Sequence, residues 1–130
     1  MIDEMGIFRT TVEFSPLHDH TRRLELRDVM VDTGSEYTWL PRTLLEELGV
    51  SPTRIERFET ADGRILEREI CFAMVFAAGR SSPTIVAFAG PGDMVTLGAV
   101  ALEGLNLRVD VVKRELVPGG PIPVATTRAA

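Results

Sequence analysis

The chain has 130 residues, of which 45% are hydrophobic and 25% are charged, and its formal net charge at pH 7 is −5. That length and composition fit a single globular domain. The negative balance provides no basic face for the phosphates of a nucleic acid, so we expect no nucleic-acid partner. The single cysteine, Cys71, cannot form an internal disulfide, so the fold needs no oxidising compartment.

The apolar runs of the sequence are short. The longest of them, near residues 71–78 and 85–89, fall far below the length needed to cross a membrane. The acidic N-terminal residues contain no apolar run of signal-peptide length. We therefore expect a soluble, cytoplasmic protein with no membrane partner.

The predicted elements are mostly short strands. Apolar or alternating segments, separated by turns rich in Gly, Pro and Asp, predict seven or eight of them. Pro41 in the first turn and Gly49 at the C-terminal stop predict a compact helix, and a second helix is expected after Gly98. The predicted strands cover residues 5–14, 24–31, 37–40, 55–60, 64–77, 84–89, 94–97 and 107–116, and the predicted helices cover 42–48 and 99–105.

Turn signals connect several of these strands. Asp-Gly between two alternating strands strongly favours a hairpin, and Ala61-Asp62-Gly63 carries that signal. The strand that continues to Ala77 is apolar on both faces, so we expect it to lie inside the fold. Residues 79–83 are expected to turn the chain into the next strand.

This pattern predicts an all-β domain, a small closed β-barrel-like fold with one or two short helices. From Pro118 onward the sequence is rich in Pro, Gly and small residues, which is typical of a tail. We therefore assign residues 1–117 to the domain and residues 118–130 to a Pro/Gly-rich C-terminal tail.

The tripeptide Asp32-Thr33-Gly34 is the clearest chemical signal in the chain. Taken alone it is weak, because Asp and Gly are common turn residues and a turn after a strand explains them without chemistry. Its position makes it stronger, because it directly follows the apolar strand that ends at Val31 and precedes Ser35 and a further apolar segment. Such a strand is suited to hold a catalytic carboxylate rigidly.

From Phe8 to Leu116 the chain resembles the retropepsin-like aspartic proteases, the single-domain retroviral type and its cellular relatives. Three motifs carry the resemblance, in the family's order and at its spacing. In the family, the first holds the catalytic aspartate, the second is the tip of the flap and the third lies beside the catalytic loop. They are an apolar pair followed by Asp32-Thr33-Gly34-Ser35, the hairpin tip at Ala61-Asp62-Gly63, and Thr96-Leu97-Gly98 before a short helix.

The resemblance implies a retropepsin fold and an aspartic-type endopeptidase that is active as a two-fold homodimer. This chemistry needs two carboxylates that share one proton around a water molecule. The chain has one Asp-Thr-Gly and about half the length of a two-lobed enzyme. The second aspartate would therefore be Asp32 of another copy of the chain.

The resemblance also assigns roles to the other site residues, with no cofactor and no metal. Thr33 would donate its hydroxyl across the dimer axis, Gly34 would leave room for backbone N–H groups at the carboxylate, and Ser35 would follow in that loop. An extended polypeptide substrate would pair with the flap by strand addition. The flap residues are Thr60, Ala61, Asp62 and Gly63, and the residues beside the active site are Leu97 and Gly98.

Two positions depart from the family pattern. Many retroviral members have an arginine after the glycine that corresponds to Gly98, where it helps to fasten the dimer, and this chain has Ala99. Flap tips are often glycine-rich, and this one carries the charged Asp62. The first departure leaves the fastening of the dimer open, and the second leaves the closure of the flap open.

Other interpretations of the sequence fit it less well. A dimer that keeps the fold but only binds extended segments is the main alternative, although the intact Asp-Thr-Gly favours cleavage. An aspartate-nucleophile phosphatase would need a second acid at position 34, which is Gly. His18 and His20 are interpreted as part of a solvated turn, and Cys71 and Trp39 as packing residues.

Overall fold

The computed structural model describes residues 7–126, so the first two residues of the first predicted strand lie outside the described residues. Strands dominate this part of the chain, and only two short helices accompany them. The all-β prediction is confirmed. The strands are β1 Arg9–Ser15, β2 Leu24–Val31, β3 Thr38–Pro41, β4 Arg54–Glu59, β5 Ile65–Ala77, β6 Arg80–Ala89, β7 Thr96–Leu97, β8 Leu107–Asp110 and β9 Glu115–Pro118, and the helices are α1 Arg42–Glu47 and α2 Ala99–Leu105.

Seven of the strands form one ring-like sheet. Their order is β1-β2-β7-β3-β6-β5-β4, and β1 also pairs with β5, so six strands close on themselves. The seventh strand, β4, lies outside the ring and pairs with the first part of β5, from Arg54 opposite Ile70 to Glu59 opposite Ile65. The β4–β5 hairpin therefore extends beyond the closed part of the sheet.

The hydrophobic core fills the inside of the ring and is covered by α2. Its largest fully buried side chains come from several elements, including Phe14 on β1, Leu40 on β3 and Phe88 on β6. The two helices add leucines to the same cluster, with Leu45 from α1 and Leu105 from α2. Most strands of the ring bury one face and need apolar residues mainly at alternate positions, whereas β6 is buried on both faces from Thr84 to Ala89.

The expectation that β5 is buried on both faces holds at Ile70, which is fully buried in a second apolar cluster with Ile85 and Ala87, but it is wrong for the residues that follow. Cys71, Ala73 and Val75 are fully buried, whereas Phe72 is 37% exposed and Phe76 is half-buried. Beyond Ile70, the core covers only one side of this strand. On the other side, the guanidinium of Arg23 lies 3.8 Å from the Phe76 ring centroid, and such stacking helps a long cationic side chain to cover the aromatic surface.

The last predicted strand is in fact a hairpin. Instead of one strand over residues 107–116, the chain turns at residues 111–114 between β8 and β9. The Asp110 carboxylate accepts the backbone N–H groups of Val112 and Lys113, both at 3.0 Å. This Asx-type turn contains no Gly or Pro, so the valines around it had the appearance of continuous strand.

The turn between β5 and β6 is also tighter than predicted. It consists of Ala78 and Gly79, which have φ angles of 50° and 77°, and β6 begins at Arg80 rather than after residue 83. Positive φ at both central residues matches the right-handed twist of the two strands. The predicted helices are present, and Gly104 lies within α2. No helix within residues 7–126 has the length and hydropathy needed to span a membrane.

Candidate active site

Asp32 follows the last residue of β2 at an edge of the ring. β2 runs parallel to β7, with Met30 opposite Thr96 and Val31 opposite Leu97. The backbone N–H of Asp32 continues this ladder and donates to the carbonyl of Leu97 at 2.9 Å. The backbone that carries the carboxylate is therefore attached to a buried strand.

The carboxylate is held by its own loop. Gly34 donates its backbone N–H to Asp32 Oδ1 at 2.9 Å, and Ser35 donates its N–H to the Asp32 carbonyl at 3.1 Å. A Cβ atom at Gly34 would lie 3.2 Å from the same Oδ1, which leaves little room for any side chain there. Asp32 is half-buried, while the neighbouring Thr33 is exposed, so the loop presents both polar groups at the surface.

The start of α2 braces this loop from behind. Ala99 donates its N–H to the Ser35 carbonyl at 2.7 Å, and Gly98 donates its N–H to the buried Thr38 hydroxyl at 3.1 Å. A Cβ atom at Gly98 would lie 2.6 Å from the carbonyl carbon of Tyr37 and 2.8 Å from the oxygen of Ser35. Only glycine allows the two backbone segments to approach this closely.

We call the β4–β5 hairpin the flap. Its tip is closed by contacts among its own residues. Thr60 and Arg64 pair through their backbones at 2.8 Å, and Gly63 closes the turn with a φ of 86°. The Asp62 carboxylate accepts the Thr60 hydroxyl and the Arg64 guanidinium, and the hydroxyl is the main cause of its lowered pKa. The charge at the tip is therefore paired within the hairpin.

A cleft of about 670 Å³ separates the Asp32 loop from the flap. Five of the residues singled out from the sequence line it, namely Asp32, Gly34, Ser35, Thr60 and Ala61. Another five do not line it but shape its surroundings, namely Thr33, Asp62, Gly63, Leu97 and Gly98. The complete lining is Asp32, Gly34, Ser35, Glu36, Tyr37, Trp39, Glu56, Arg57, Phe58, Glu59, Thr60, Ala61 and Leu66.

An aromatic floor in this cleft was missed by the sequence analysis. Phe58 of β4 meets Tyr37 and Trp39 edge-on, with ring centroids 5.6 and 4.9 Å apart. All three rings are half-buried and line the cleft. The contacts of Phe58 with the other two rings connect the flap to the segment that follows the Asp32 loop. The alternation of β4 was a usable signal, since Phe58 and Thr60 must share one face of that strand.

A second missed contact attaches the flap to the rest of the domain. Arg68 of β5 makes two hydrogen bonds to the Asp93 carboxylate, at 2.7 and 3.0 Å, and Asp93 also accepts the Gly90 N–H at 2.7 Å. The guanidinium is the largest cause of the lowered pKa of Asp93. This pair connects the β5 leg of the flap to the turn that precedes β7.

The remaining candidates stay outside the cleft. His18 and His20 lie in the turn between β1 and β2, and the His20 ring meets Phe76 edge-on at 5.7 Å. Within residues 7–126 no three His, Cys, Asp or Glu side chains are grouped as metal ligands. Cys71 is fully buried, and burial raises the pKa of its thiol to about 12.

The ring-like sheet and its aspartate loop beneath a hairpin are consistent with the retropepsin-like class of aspartic proteases. The sequence agrees with this, because a family model described as aspartyl protease matches residues 25–120, and the chain belongs to that family. The resemblance found in the sequence is thereby confirmed. No curated protein sequence matches the chain.

Proposed function

We propose that the protein is an endopeptidase whose active site combines Asp32 from two copies of the chain. Membership of the aspartyl protease family supports peptide hydrolysis in general. The observation that carries the paired site is that Asp32 and Gly34, from the only Asp-Thr-Gly of the chain, line an open cleft beside the flap. One carboxylate of this kind is half of what the reaction needs.

The chemistry follows from two carboxylates that share one proton. Two such groups placed side by side cannot both ionise cheaply, so one stays protonated while the other is charged. The charged carboxylate takes a proton from water as the water oxygen attacks the carbonyl carbon, and the protonated one hydrogen-bonds the carbonyl oxygen. The hydrogen bond from Gly34 to Asp32 Oδ1 would keep the carboxylate oriented towards its partner.

A two-fold homodimer would supply the second carboxylate. Thr33 is exposed next to Asp32, as required for a hydroxyl that would donate across the axis. The domain at residues 1–117 would form the subunit together with the first residues of the predicted tail at 118–130, because β9 ends at Pro118 and Gly119 and Gly120 hydrogen-bond to Asn106. The cytoplasmic location stays a prediction from the sequence.

The substrate would be an extended polypeptide held between the floor of the cleft and the flap. Thr60 and Ala61 at the end of the flap line the cleft, where their backbone groups would pair with a substrate strand. Closure of the flap would exclude water during the reaction. Apart from protein groups, this scheme uses only water and needs no cofactor or metal.

The test is cleavage of a mixed peptide library from pH 4 to 7.5, at high and low protein concentration. The wild-type protein is compared with Asp32→Asn and with the matched control Asp28→Asn, where Asn also tolerates the positive φ of 56°. We expect cuts that vanish in Asp32→Asn, persist in Asp28→Asn and weaken on dilution. A folded dimer with no Asp32-dependent cuts would contradict the proposal and favour a module that only binds peptides or assembles.

A further inference from the structure

We propose that the cleft prefers peptides with a basic side chain, arginine above lysine, next to apolar residues. This inference rests on the proposed function, because it names the substrate class of the same cleft. It is carried by the distribution of charge around the aromatic floor.

Negative charge dominates the lining of the cleft. Besides Asp32, the carboxylates of Glu36, Glu56 and Glu59 line it, and the only cation among the lining residues is Arg57. The charges come from both sides of the cleft, since Glu36 belongs to the Asp32 loop and the other two glutamates belong to β4. A bound cation would therefore meet carboxylates from the floor and from the flap.

Two of these carboxylates are available to a ligand. Glu56 already accepts the guanidinium of Arg54 at 2.6 Å, so much of its charge is compensated. Glu36 and Glu59 are exposed, and neither forms an ion pair with another residue of the described chain, 7–126. They are the candidates to determine charge preference.

The cation of the cleft does not cancel this charge. Arg57 shares one face of β4 with Glu59, because side chains alternate along a strand, and both residues line the cleft. The direct neighbour of Arg57 on β5 is Glu67, an opposite charge in the position where cross-strand pairs interact. The positive charge of Arg57 therefore has an acidic neighbour of its own.

The aromatic floor adds a reason to favour arginine. Tyr37, Trp39 and Phe58 are half-buried and line the same cleft. A guanidinium is planar and weakly hydrated, so it stacks on aromatic rings while its N–H groups reach carboxylates. Leu66 and Ala61 also line the cleft, which gives the apolar neighbours of such a residue a surface to contact.

A binding assay tests this inference independently of catalysis. An extended, dye-labelled apolar peptide is prepared with one arginine, with the uncharged isostere citrulline, or with glutamate, at each central position in turn. Fluorescence anisotropy then measures binding to Asp32→Asn, which keeps the loop. We expect the arginine peptide to bind about fivefold to tenfold more tightly than the citrulline peptide at low salt, and the difference to shrink as salt is raised.

Variants identify the carboxylates that are responsible. In the Asp32→Asn background, the double change Glu36→Gln and Glu59→Gln should reduce the arginine preference to within about twofold. The control Glu46→Gln removes an exposed charge from α1, outside the cleft, and should leave the preference unchanged. Equal binding of the arginine and citrulline peptides, or a preference that survives the double change, would overturn the inference.

Cleavage by the wild-type protein tells the two proposals apart. Asp32-dependent cuts without any preference for arginine would leave the protease in place and refute this inference alone. Selective binding of the arginine peptide without hydrolysis would support the inference and refute the proposed function. A protein that neither binds nor cuts any peptide of the set would refute both.

Discussion

At the scale of single residues, the site depends on two glycines with different duties. Gly34 donates its N–H to the Asp32 carboxylate, and Gly98 lets the start of α2 approach the backbone of Tyr37 and Ser35. The second duty is the more demanding one, because backbone atoms cannot move aside as a side chain can. The conformation of the Asp32 loop therefore depends on a residue that does not line the cleft.

Replacing Gly98 by alanine should destabilise the domain. The new methyl group would meet two backbone groups, so overpacking should lower the free energy of unfolding by about 2 to 3 kcal/mol. Chemical denaturation measures this change. The control Gly104→Ala, within α2, places its methyl group against the Ser82 hydroxyl. That hydroxyl can rotate away, and alanine has a higher helix propensity than glycine, so both effects offset the clash. A Gly98→Ala protein as stable as the control would contradict the prediction.

Cys71 should be unreactive in the folded protein. Its thiol pKa of about 12 leaves far less thiolate at pH 8 than an ordinary cysteine has, and the side chain is fully buried. We expect modification by a disulfide reagent to be on the order of a thousandfold slower in the native protein than in the unfolded one. A spectrophotometric thiol assay checks this, and rapid reaction of the native protein would refute the burial of Cys71.

At the scale of elements, the flap is a hairpin with one attachment to the rest of the domain on each of its two strands. The contacts of Phe58 with Tyr37 and Trp39 fix the β4 leg to the floor of the cleft. The ion pair of Arg68 and Asp93 fixes the β5 leg to the turn before β7. The tip lacks comparable support, since the contacts described for Thr60, Asp62 and Arg64 lie within the hairpin. We expect motion to concentrate at the tip.

Breaking the Arg68–Asp93 pair should loosen the β5 leg of the flap in a pH-dependent way. The folded pKa of Asp93 lies below its ordinary value of 3.8, so the pair stabilises the fold fully above that pH. This contribution is lost as the pH falls through the folded pKa. Asp93→Asn should therefore cost about 1 to 2 kcal/mol at pH 7, and the cost should shrink below pH 3.8.

Urea unfolding at pH 3 and pH 7 and hydrogen exchange of the flap amides measure the effect of Asp93→Asn. The matched control is Asp62→Asn, which removes a carboxylate from the exposed ion pair at the flap tip and should have a much smaller effect, because solvent screens that pair. An Asp93→Asn penalty that is the same at pH 3 and pH 7 would show that charge is not the reason.

At the scale of the whole molecule, the ring leaves one small sheet outside. Among residues 7–126, β8 and β9 pair only with each other, and two strands alone are marginally stable in water. The hydrophobic core holds this small sheet in place, because Leu107 belongs to the core and Leu116 packs against it. The first residue after β9 is also attached to the domain, because the backbone carbonyl of Asn106 accepts the Gly119 N–H at 2.8 Å.

Truncation should locate the end of the folded unit. Asn106 also donates its side-chain N–H to the Gly120 carbonyl at 2.9 Å, and residues 121–126 are exposed without regular structure. Ending the chain after Gly120 should change the melting temperature by no more than about 2 °C, whereas ending it after Arg114 removes β9 and should lower it by roughly 10 °C. Equal melting temperatures for the two truncations would contradict this picture, and sedimentation of each would show whether the tail affects dimerisation.

Local signals predicted most of the elements because their causes are local. Pro41 and Gly49 bracket α1, and the Asp-Gly pair of the flap lies at a turn whose glycine has positive φ. The hairpin of β8 and β9 escaped prediction because a side chain, Asp110, makes the turn that a glycine usually makes. The exposed face of β5 escaped it because an apolar residue is equally compatible with a core and with a stacked arginine.

The sequence by itself determined the strand that ends in Asp32, the all-β class and the membership of the aspartyl protease family. Only the tertiary structure decided what surrounds that aspartate. The cleft joins the Asp32 loop to Phe58 and Glu59 of the flap, which lie more than twenty residues away along the chain. The reason is physical: periodicity and turn chemistry act between near neighbours, whereas a cleft depends on which strands pair, and closure of the ring settles that.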